Sequence, residues 1–447
     1  MEKLVINGGK RLMGNISVSG AKNVALKALV AACLTDEEVI IENIPLISDF
    51  MVMVNIIREL GGEVVIDDHS ASVRVKNFKK EIVTLEDAAK IRASAMFMAP
   101  LLTRLGKAII PNPGGCRIGT RPIDRTINGL KQMGIDAIYN SEDGYFYLKT
   151  NNKVISRDKT ISYRFEKSTH TGTEILIMVA VLLRGRTILE NAAEEPEIDE
   201  LIVLLNRMGA KVARVKSRRI VITGVRKLHG AKFKIGLDRN EIVTFAVAGI
   251  ATKGDIFING AQEVEISSFL QKLEESGAGV ERKNNGIRFY YNDPLKSVDI
   301  TTSAYPGFMT DWQGPWAVLM TQANGTSVIH ETVYENRFGY VAELKKMGAD
   351  VALFNPLVKN PAEIYNFNLL DNRPDYYHAL KVYGPIKLHN AVVSMSDLRA
   401  GATLVLGALL APMQSIIFGV EHLDRGYEKF EERLNSLGAS IKRVKDE

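Results

Sequence analysis

One pattern of helices and strands occurs six times along this sequence, and that repetition limits the folds open to it. Each copy begins with an apolar helix, continues into a short β-branched strand and adds an amphipathic helix that ends at glycine. The six glycines recur at intervals of 68 to 90 residues, at Gly61, Gly134, Gly209, Gly277, Gly348 and Gly438. Glycine suits the left-handed end of a helix because it has no Cβ atom. Repeats of this length exceed those of solenoids, so we expect small α+β modules, three to a domain.

The first helix of each copy is apolar nearly all round, which predicts that it is buried inside its domain. These six segments are 25–34, 92–105, 173–183, 243–251, 315–323 and 400–411. The second helix of each copy is amphipathic and is predicted to cover a surface. The last interval is longer because it contains residues 354–382, which are rich in Asn, Pro and Tyr. We interpret this segment as an inserted loop or an extended hairpin.

Composition excludes several classes of protein. A chain of 447 residues should form two or more domains, and 46% apolar with 24% charged residues is ordinary for a globular protein. Two distant cysteines argue against a disulfide framework or a zinc site and fit a reducing cytoplasm. The N-terminus lacks the apolar segment of a signal peptide, and the longest apolar run, 175–183, is too short to span a bilayer. A formal net charge of +5 does not suggest a nucleic-acid surface, but it suits an anionic small substrate.

A loop rich in glycine and proline, residues 112–124, contains one of the two cysteines, Cys116. Arg117 and Arg121 flank this thiol, and a predicted helix begins just after it. Cations and helix N-termini lower the pKa of a cysteine and make it reactive. An inert buried thiol is the alternative interpretation, and it fits Cys33, which lies in the apolar helix of the first copy. For Cys116 the loop and its charges favour a functional role.

Charged residues recur where helices are predicted to begin, and free backbone N–H groups there favour anions. They include Lys22, Arg92, Asp311, Arg337, Arg399 and Arg425. A single arginine at such a place is more often a surface ion pair, so the recurrence is what favours an anionic ligand. The sequence has no P-loop motif, no Gly-x-Gly-x-x-Gly opening a βαβ unit and no Gly-x-Ser-x-Gly elbow. Its seven histidines are scattered, so no metal site is predicted.

Five segments together resemble the enolpyruvyl transferase family. They are Ser-Gly-Ala-Lys-Asn at 19–23, Pro-Gly-Gly-Cys-Arg-Ile-Gly-Thr-Arg-Pro at 113–122, Glu-Asn-Ala-Ala at 190–193, Ser-Asp-Leu-Arg-Ala at 396–400 and Asp-Arg-Gly-Tyr at 424–427. The resemblance extends over the whole chain apart from 354–382, and the cysteine loop sets the chain apart from the shikimate-pathway branch. It implies an α/β fold of two inverse α/β barrel-like domains, each with three pseudo-symmetric repeats. One domain would comprise 22–235 and the other 1–21 with 236–447, joined by two crossings and closing over the site.

The resemblance also implies a reaction. The enolpyruvyl group of phosphoenolpyruvate would move to the 3′-hydroxyl of UDP-N-acetylglucosamine with release of phosphate, the first committed step of peptidoglycan synthesis, in the cytoplasm. Cys116 would be the general acid that protonates the methylene carbon, and Asp311 the base for the acceptor hydroxyl. Lys22, Arg399 and Arg425 would complete the catalytic set. No cofactor and no metal are implied, and the expected partners are the two small substrates, with no nucleic acid or membrane span and the oligomeric state left open.

Binding residues follow from the same resemblance. Phosphoenolpyruvate would contact Lys22, Asn23, Arg121, Arg337, Arg399 and Arg425. UDP-N-acetylglucosamine would contact Asn23, Arg92, Arg121, Pro122, Ile123, Asp124, Lys167, Thr169, Asp311 and Val333.

Two segments depart from the family pattern and leave alternatives for the acceptor. Residues 167–173, Lys-Ser-Thr-His-Thr-Gly-Thr, replace the usual Lys-x-Ser-Val-Gly-Ala-Thr, and Arg125-Thr126 replaces Leu-His. One alternative is enolpyruvyl transfer to a different uridine nucleotide or sugar. Another is a catalytically silent paralogue that binds nucleotide sugar, although a binder would need neither an acid nor a base.

Overall fold

The computed structural model describes residues 2–114, 123–150 and 160–445. The described residues form two compact units. The Lys22 unit comprises residues 20–114 and 123–236, and the Asp311 unit comprises residues 2–19 and 237–445. Cys116, Arg121 and Pro122 lie outside the described residues.

Strands and helices alternate along the chain. The strands are β1 (Glu2–Asn7), β2 (Met13–Ser17), β3 (Val39–Glu42), β4 (Glu63–Asp67), β5 (Ser70–Arg74), β6 (Lys107–Pro111), β7 (Ile135–Asn140), β8 (Tyr145–Thr150), β9 (Thr160–Arg164), β10 (Arg186–Glu190), β11 (Lys211–Lys216), β12 (Arg219–Thr223), β13 (Ala231–Lys234), β14 (Asp255–Asn259), β15 (Gly279–Lys283), β16 (Gly286–Tyr290), β17 (Ile300–Thr301), β18 (Gly325–His330), β19 (Val351–Phe354), β20 (Ala379–Gly384), β21 (Val392–Ser394), β22 (Gln414–Phe418) and β23 (Ile441–Lys445). The α-helices are α1 (Lys22–Ala32), α2 (Ser48–Glu59), α3 (Leu85–Lys90), α4 (Met98–Leu105), α5 (Asp124–Gln132), α6 (His170–Ala180), α7 (Pro196–Arg207), α8 (Arg239–Ala251), α9 (Ser267–Glu275), α10 (Gln313–Met320), α11 (Val341–Lys346), α12 (Pro361–Ile364), α13 (Leu398–Leu410), α14 (Val420–Leu423) and α15 (Phe430–Ser436). Short 3₁₀ helices span Arg92–Phe97, Glu263–Glu265, Thr310–Trp312 and Leu369–Asp371.

Each unit holds three small sheets within the described residues. The orders are β13-β3-β5-β4, β6-β8-β7 and β11-β12-β10-β9 in the Lys22 unit, and β15-β16-β14-β2, β17-β18-β20-β19 and β21-β22-β1-β23 in the Asp311 unit. Every four-stranded sheet has one parallel pair at an edge, such as β13 with β3 or β2 with β14, and antiparallel pairs elsewhere. In the three-stranded sheet a parallel bridge between Ile82 and Ile109 takes the place of the edge strand. The predicted α/β fold with three repeats in each unit is confirmed.

The first helix of each repeat lies inside its unit, as predicted. All residues of α8 and α10 are buried, and α1, α4, α6 and α13 are buried along most of their length. Two apolar cores result, one in each unit. The predicted continuous helix over 92–105 is wrong in one respect, because Arg92–Phe97 is a 3₁₀ helix and the α-helix begins at Met98. Pro100 lacks a backbone N–H and its ring clashes with the carbonyl four residues earlier, so it is tolerated only in the first turn of α4.

The second helices are amphipathic and lie half exposed on their units. Helices α2, α5, α7, α9, α11 and α15 are each followed within two residues by a glycine with positive φ, between +83° and +101°. These are the six glycines whose recurrence defined the repeat, so their predicted role as left-handed helix ends is confirmed.

The segment 354–382 is the connection of an antiparallel hairpin. Phe354 ends β19, and Ala379–Gly384 forms β20 beside it, so the inserted residues are 355–378. They contain helix α12 and a 3₁₀ turn. The interpretation as an extended hairpin is confirmed.

Cys33 is an inert core thiol, as predicted. It is fully buried, and its Sγ donates a hydrogen bond to the Leu29 carbonyl 3.2 Å away. Burial raises the pKa of Cys33 to about 12, which keeps the thiol protonated at neutral pH. Among the helices of the described residues, none combines the length and apolar character needed to cross a bilayer.

Gly224, which follows β12, packs closely against the backbone that follows α6. A Cβ atom built there would overlap the carbonyl oxygen of Leu183. We expect Gly224→Ala to lower the free energy of unfolding by about 3 kcal/mol, because backbone must move to make room. Gly144→Ala is the matched control, since Gly144 has φ +78° but open space around it, and the expected loss there is about 1 kcal/mol. Urea unfolding measures both variants, and equal losses would contradict the packing described here.

Candidate active site

Three predicted site residues meet in the Asp311 unit. Asp311 lies in the 3₁₀ turn before α10, Arg337 in the loop after β18, and Arg399 in the first turn of α13. Arg337 Nη2 is 2.8 Å from Asp311 Oδ1, and Arg399 Nε is 3.2 Å from Asp311 Oδ2. The side chain of Asp311 is 25% exposed, whereas those of Arg337 and Arg399 are 4% and 11% exposed. The carboxylate therefore faces solvent from between two nearly buried cations.

A second carboxylate, Asp397, also pairs with Arg337. Asp397 Oδ1 lies 3.5 Å from Arg337 Nη1 and also accepts hydrogen bonds from the backbone N–H groups of Arg399 and Ala400, which caps α13. A buried guanidinium is costly unless it is paired. Burial alone would lower the pKa of Arg337, but Asp397 and Asp311 together raise it above its ordinary value. Arg337 thus keeps its charge inside the unit.

Tyr427 also contacts the Arg399 guanidinium. Arg399 Nη1 donates to the Tyr427 hydroxyl over 3.2 Å, and its guanidinium carbon lies 5.5 Å from the centre of the Tyr427 ring. The same hydroxyl is 2.8 Å from Thr244 Oγ1 on α8. Burial opposes the charge of Arg399, but Asp311 and Tyr427 raise its pKa above the ordinary value. The guanidinium is therefore fixed before any ligand arrives.

Glu331, which sequence analysis did not single out, joins the segments that carry Asp311 and Arg337. It is fully buried, and its Oε1 accepts the backbone N–H groups of Val333 and Tyr334 at 2.7 and 3.0 Å. Its Oε2 accepts from the Thr310 hydroxyl and the Gln313 amide at 2.8 and 3.3 Å. Burial raises the pKa of Glu331, although these bonds and Arg337 oppose the rise. The available signal in the sequence was an acidic residue directly after β18, at the start of the loop that contains Arg337.

Arg425 lies in the turn between α14 and Tyr427. The preceding residue, Asp424, accepts two hydrogen bonds from Arg443 on β23, at 2.8 and 2.7 Å. This pair ties the turn to the edge of the sheet. Val333, the remaining predicted residue of this unit, is half-buried and is positioned by Glu331.

Lys22 and Arg92 begin corresponding helices in the Lys22 unit. Lys22 Nζ lies 2.6 Å from Asp49 Oδ2 on α2, and Asn23 follows it at the half-buried start of α1. Arg92 Nη1 donates to the Pro113 carbonyl over 3.2 Å. Arg92 therefore contacts the loop that leads to Cys116 at Pro113, within the part of the chain that the structure describes.

The other predicted acceptor contacts of this unit lie at the starts of α5 and α6. Ile123 is 8% exposed, and Asp124, the first residue of α5, is exposed. Thr169 caps α6, because its hydroxyl oxygen accepts the Gly172 N–H over 3.3 Å. Lys167 lies two residues earlier and is half-buried. Across the parts of the chain that the structure describes, no group of three or more His, Cys, Asp or Glu side chains is arranged to hold a metal ion.

Residues 6–434 match the family model described as EPSP synthase (3-phosphoshikimate 1-carboxyvinyltransferase). The chain belongs to this enolpyruvyl transferase family. It is 41% identical to the UDP-N-acetylglucosamine 1-carboxyvinyltransferase of Koribacter versatilis, over 99% of this chain and 97% of that protein. It is 39% identical to UDP-N-acetylglucosamine 1-carboxyvinyltransferase 2 of Staphylococcus saprophyticus, over 99% and 100% of the two chains.

Solved structures support the fold of this enolpyruvyl transferase. The enolpyruvyl transferase NikO from Streptomyces tendae superposes with a TM-score of 0.85 at 22% identity, covering 100% of this chain and 99% of NikO. EPSP synthase from Acinetobacter baumannii gives a TM-score of 0.71 at 16% identity, with both chains fully covered. At these identities the likeness concerns the fold alone.

Replacing Glu331 by glutamine tests its structural role in this enolpyruvyl transferase. The amide would bring an N–H group towards donors that now bind a carboxylate, so we expect a loss of about 1–3 kcal/mol in the free energy of unfolding. The raised pKa gives the sign of the pH dependence. The contribution of Glu331 to stability is full below its unfolded pKa, about 4.3, and is lost as pH rises through the folded value.

The difference in Tm between wild type and Glu331→Gln should therefore be larger at pH 4 than at pH 8. Glu432→Gln, at an exposed position of α15, is the control and should change stability by less than about 0.5 kcal/mol. Thermal unfolding at both pH values measures the effect. A constant difference would show that Glu331 does not titrate as described.

Proposed function

We propose that this chain transfers the enolpyruvyl group of phosphoenolpyruvate to the 3′-hydroxyl of UDP-N-acetylglucosamine and releases phosphate. The observation that carries the proposal is the partly exposed carboxylate of Asp311 between the nearly buried cations Arg337 and Arg399. Relatives at 39–41% identity that are named for this acceptor support its choice. The reaction is proposed as the first committed step of peptidoglycan synthesis, and a chain with two cysteines fits the reducing cytoplasm.

The Asp311 cluster has the chemistry that the addition step needs. Phosphoenolpyruvate and the tetrahedral adduct carry several negative charges, which preorganised cations stabilise without rearrangement. Arg337 and Arg399 are held by carboxylates and Tyr427, and we assign both, with Arg425, to phosphoenolpyruvate. The ion pairs of Asp311 require its ionised form, and that form can accept the proton of the acceptor hydroxyl.

The proton for the methylene carbon is assigned to Cys116, which with Arg121 and Pro122 lies outside the described residues. A thiol in a loop with Arg117 and Arg121 suits this role, because it gives its proton to carbon and the neighbouring cations stabilise the thiolate that remains. Lys22 and Asn23 are proposed to contact phosphoenolpyruvate from the start of α1. The two proposed enolpyruvyl transferase domains comprise residues 22–235 and residues 1–21 with 236–447.

The nucleotide sugar is proposed to contact residues at helix starts and loops. These are Asn23, Arg92, Arg121, Pro122, Ile123, Asp124, Lys167, Thr169, Asp311 and Val333. His170 in the segment after Lys167 is the observation that favours a second candidate, transfer to a different uridine nucleotide or sugar, because it departs from the family pattern.

Phosphate release from phosphoenolpyruvate tests the proposal. It is measured without an acceptor and with UDP-N-acetylglucosamine, UDP-N-acetylgalactosamine or shikimate 3-phosphate. Release that depends on UDP-N-acetylglucosamine alone supports both reaction and acceptor. Release with another acceptor favours the second candidate, and no release from a folded protein would contradict the proposal and favour a binding role.

Asp311→Asn is expected to lower kcat by about 10²–10⁴-fold, because an amide cannot accept the hydroxyl proton. The exposed Asp375 in the insertion gives the matched control, Asp375→Asn, which should retain wild-type kcat. Steady-state phosphate release measures both, with circular dichroism to confirm folding. A folded Asp311→Asn protein with wild-type kcat would exclude Asp311 as the base.

Thiol labelling separates the two cysteines. At pH 7 iodoacetamide should modify Cys116 and leave Cys33 unmodified, since Cys33 is buried with a pKa of about 12. Cys116→Ala should abolish both labelling and phosphate release, whereas Cys116→Asp should restore release because a carboxylic acid can also protonate carbon. Mass spectrometry identifies the modified residue, and undiminished release by Cys116→Ala would refute the acid role.

A further inference from the structure

The inserted residues 355–378 contain a buried cluster of three aromatic rings. Tyr365 and Phe367 follow helix α12, are 5% and 8% exposed, and have ring centres 4.9 Å apart. The ring centre of His378, which is 3% exposed, lies 5.0 Å from that of Tyr365 and 5.1 Å from that of Phe367. Such distances are those of favourable aromatic pairs. The insertion therefore has a small core of its own, although its Leu370 is fully exposed.

Two backbone hydrogen bonds join the insertion to the loop that follows β18. The Asn366 N–H donates to the Thr332 carbonyl over 2.7 Å, and the Glu331 N–H donates to the His378 carbonyl over 2.8 Å. Thr332 and Glu331 are both buried, and a buried backbone group that loses its partner is costly. These bonds therefore fix the start of the loop against the insertion.

The peptide between Thr332 and Val333 is held through both of its polar groups. Its carbonyl is that of Thr332, which accepts the Asn366 N–H, and its N–H is that of Val333, which donates to Glu331 Oε1 over 2.7 Å. A peptide is planar, so bonds to both groups fix the orientation of its plane. The Thr332 hydroxyl also donates to the carbonyl of Thr302, directly after β17, over 2.6 Å. The insertion thus supplies one of the contacts that set the direction of Val333.

Other parts of this region do not depend on the insertion. Phe354 and Ala379 are direct partners of β19 and β20, so a two-residue turn would be enough to connect these strands. Arg337 is held by Asp311 and Asp397, which lie outside the insertion. The contribution of the insertion is therefore specific to the start of the loop after β18.

We propose that the insertion is a positioning element of the acceptor site, in which the Asn366 N–H holds the peptide before Val333 so that this residue contacts UDP-N-acetylglucosamine. Tyr365 and Phe367 are the buried side chains that keep Asn366 in place. The inference rests on the proposed function, which assigns Val333 to the acceptor. It gives a role to a segment that the family resemblance does not cover.

Asn366→Pro tests the backbone bond, since proline has no N–H. Tyr365, the preceding residue, has φ −86° and ψ 132°, a conformation that suits a residue before proline. We expect Asn366→Pro to bind UDP-N-acetylglucosamine about 5-fold more weakly than wild type, as for one lost hydrogen bond. Asn366→Ala retains the N–H and should bind within about 2-fold of wild type. Isothermal titration of the full chain measures both, with circular dichroism to confirm folding.

Two substitutions of Tyr365 test the ring that supports Asn366. Tyr365→Ala removes a buried ring and should weaken binding of UDP-N-acetylglucosamine by about 10-fold. Tyr365→Phe should bind within about 2-fold of wild type, because it keeps the ring and loses only the contact of its hydroxyl with His330 Nε2, 3.3 Å away. Leu370→Ala, at a fully exposed position of the same insertion, is the control and should bind like wild type.

Steady-state assays separate positioning of the acceptor from a general loss of structure. In Asn366→Pro and Tyr365→Ala, KM for UDP-N-acetylglucosamine should rise in parallel with its dissociation constant. In the same variants kcat and KM for phosphoenolpyruvate should stay within about 2-fold of wild type, since Arg337 keeps both carboxylate partners.

Hydrogen exchange of the wild-type protein gives an independent readout. Coupling between two sites is reciprocal, so an insertion that favours acceptor binding must itself be stabilised by the acceptor. UDP-N-acetylglucosamine should therefore slow exchange across residues 363–367, which include the Asn366 N–H, and leave exchange across residues 369–373 unchanged.

Unchanged affinity of both Asn366→Pro and Tyr365→Ala would overturn the inference. Equal weakening by Asn366→Ala and Asn366→Pro, or a parallel rise in KM for both substrates, would also overturn it, because neither would indicate positioning through the backbone N–H. Failure of the proposed function is distinguishable, since wild type would then release no phosphate with UDP-N-acetylglucosamine. A wild type active with that acceptor, together with unaffected variants of the insertion, would reject this inference alone.

Discussion

The six apolar helices must be buried on nearly every side, and most of the structure follows from this constraint. Three such helices in each unit are enclosed by three small sheets and three amphipathic helices. A helix with no exposed flank can present polar side chains to a ligand only near its ends, and charges inside it must be paired, as Lys27 and Glu174 are. Lys22, Arg92, His170 and Arg399 all lie at such starts. The burial that stabilises each unit therefore also places the candidate functional groups at helix starts.

Charge balance then sets the architecture of the Asp311 cluster. Arg337 is almost fully buried, and leaving such a cation without a partner typically costs about 3–5 kcal/mol. Asp397 and Asp311 supply the partners, but Asp311 is shared with Arg399 and remains partly exposed. Glu331 connects the two segments of this arrangement, through the Thr310 hydroxyl on one side and the Val333 backbone N–H on the other. The cations are thus organised by contacts within the unit, so an arriving anion would meet groups already in place.

Local sequence predicted the repeats well, whereas contacts between distant residues could not be predicted. The apolar helices and their terminal glycines depend on periodicity within about fifteen residues, which the sequence displays directly. The 3₁₀ start before α4 follows from Pro100, a local signal that the prediction overlooked. The contact of Lys27, inside the first apolar helix, is one of these, because His170 is 143 positions away. Glu331 was missed for the same reason, because its importance lies in bonds to a turn some twenty residues earlier.

The two units differ in what their residues can determine about the reaction. The Asp311 cluster offers a carboxylate and cations suited to enolpyruvyl transfer in general, and its chemistry would serve many hydroxyl acceptors. NikO shares the fold at 22% identity, and a fold alone does not select a substrate. We propose that acceptor choice depends on the segment that contains Lys167, Thr169 and His170, because this segment departs from the family pattern.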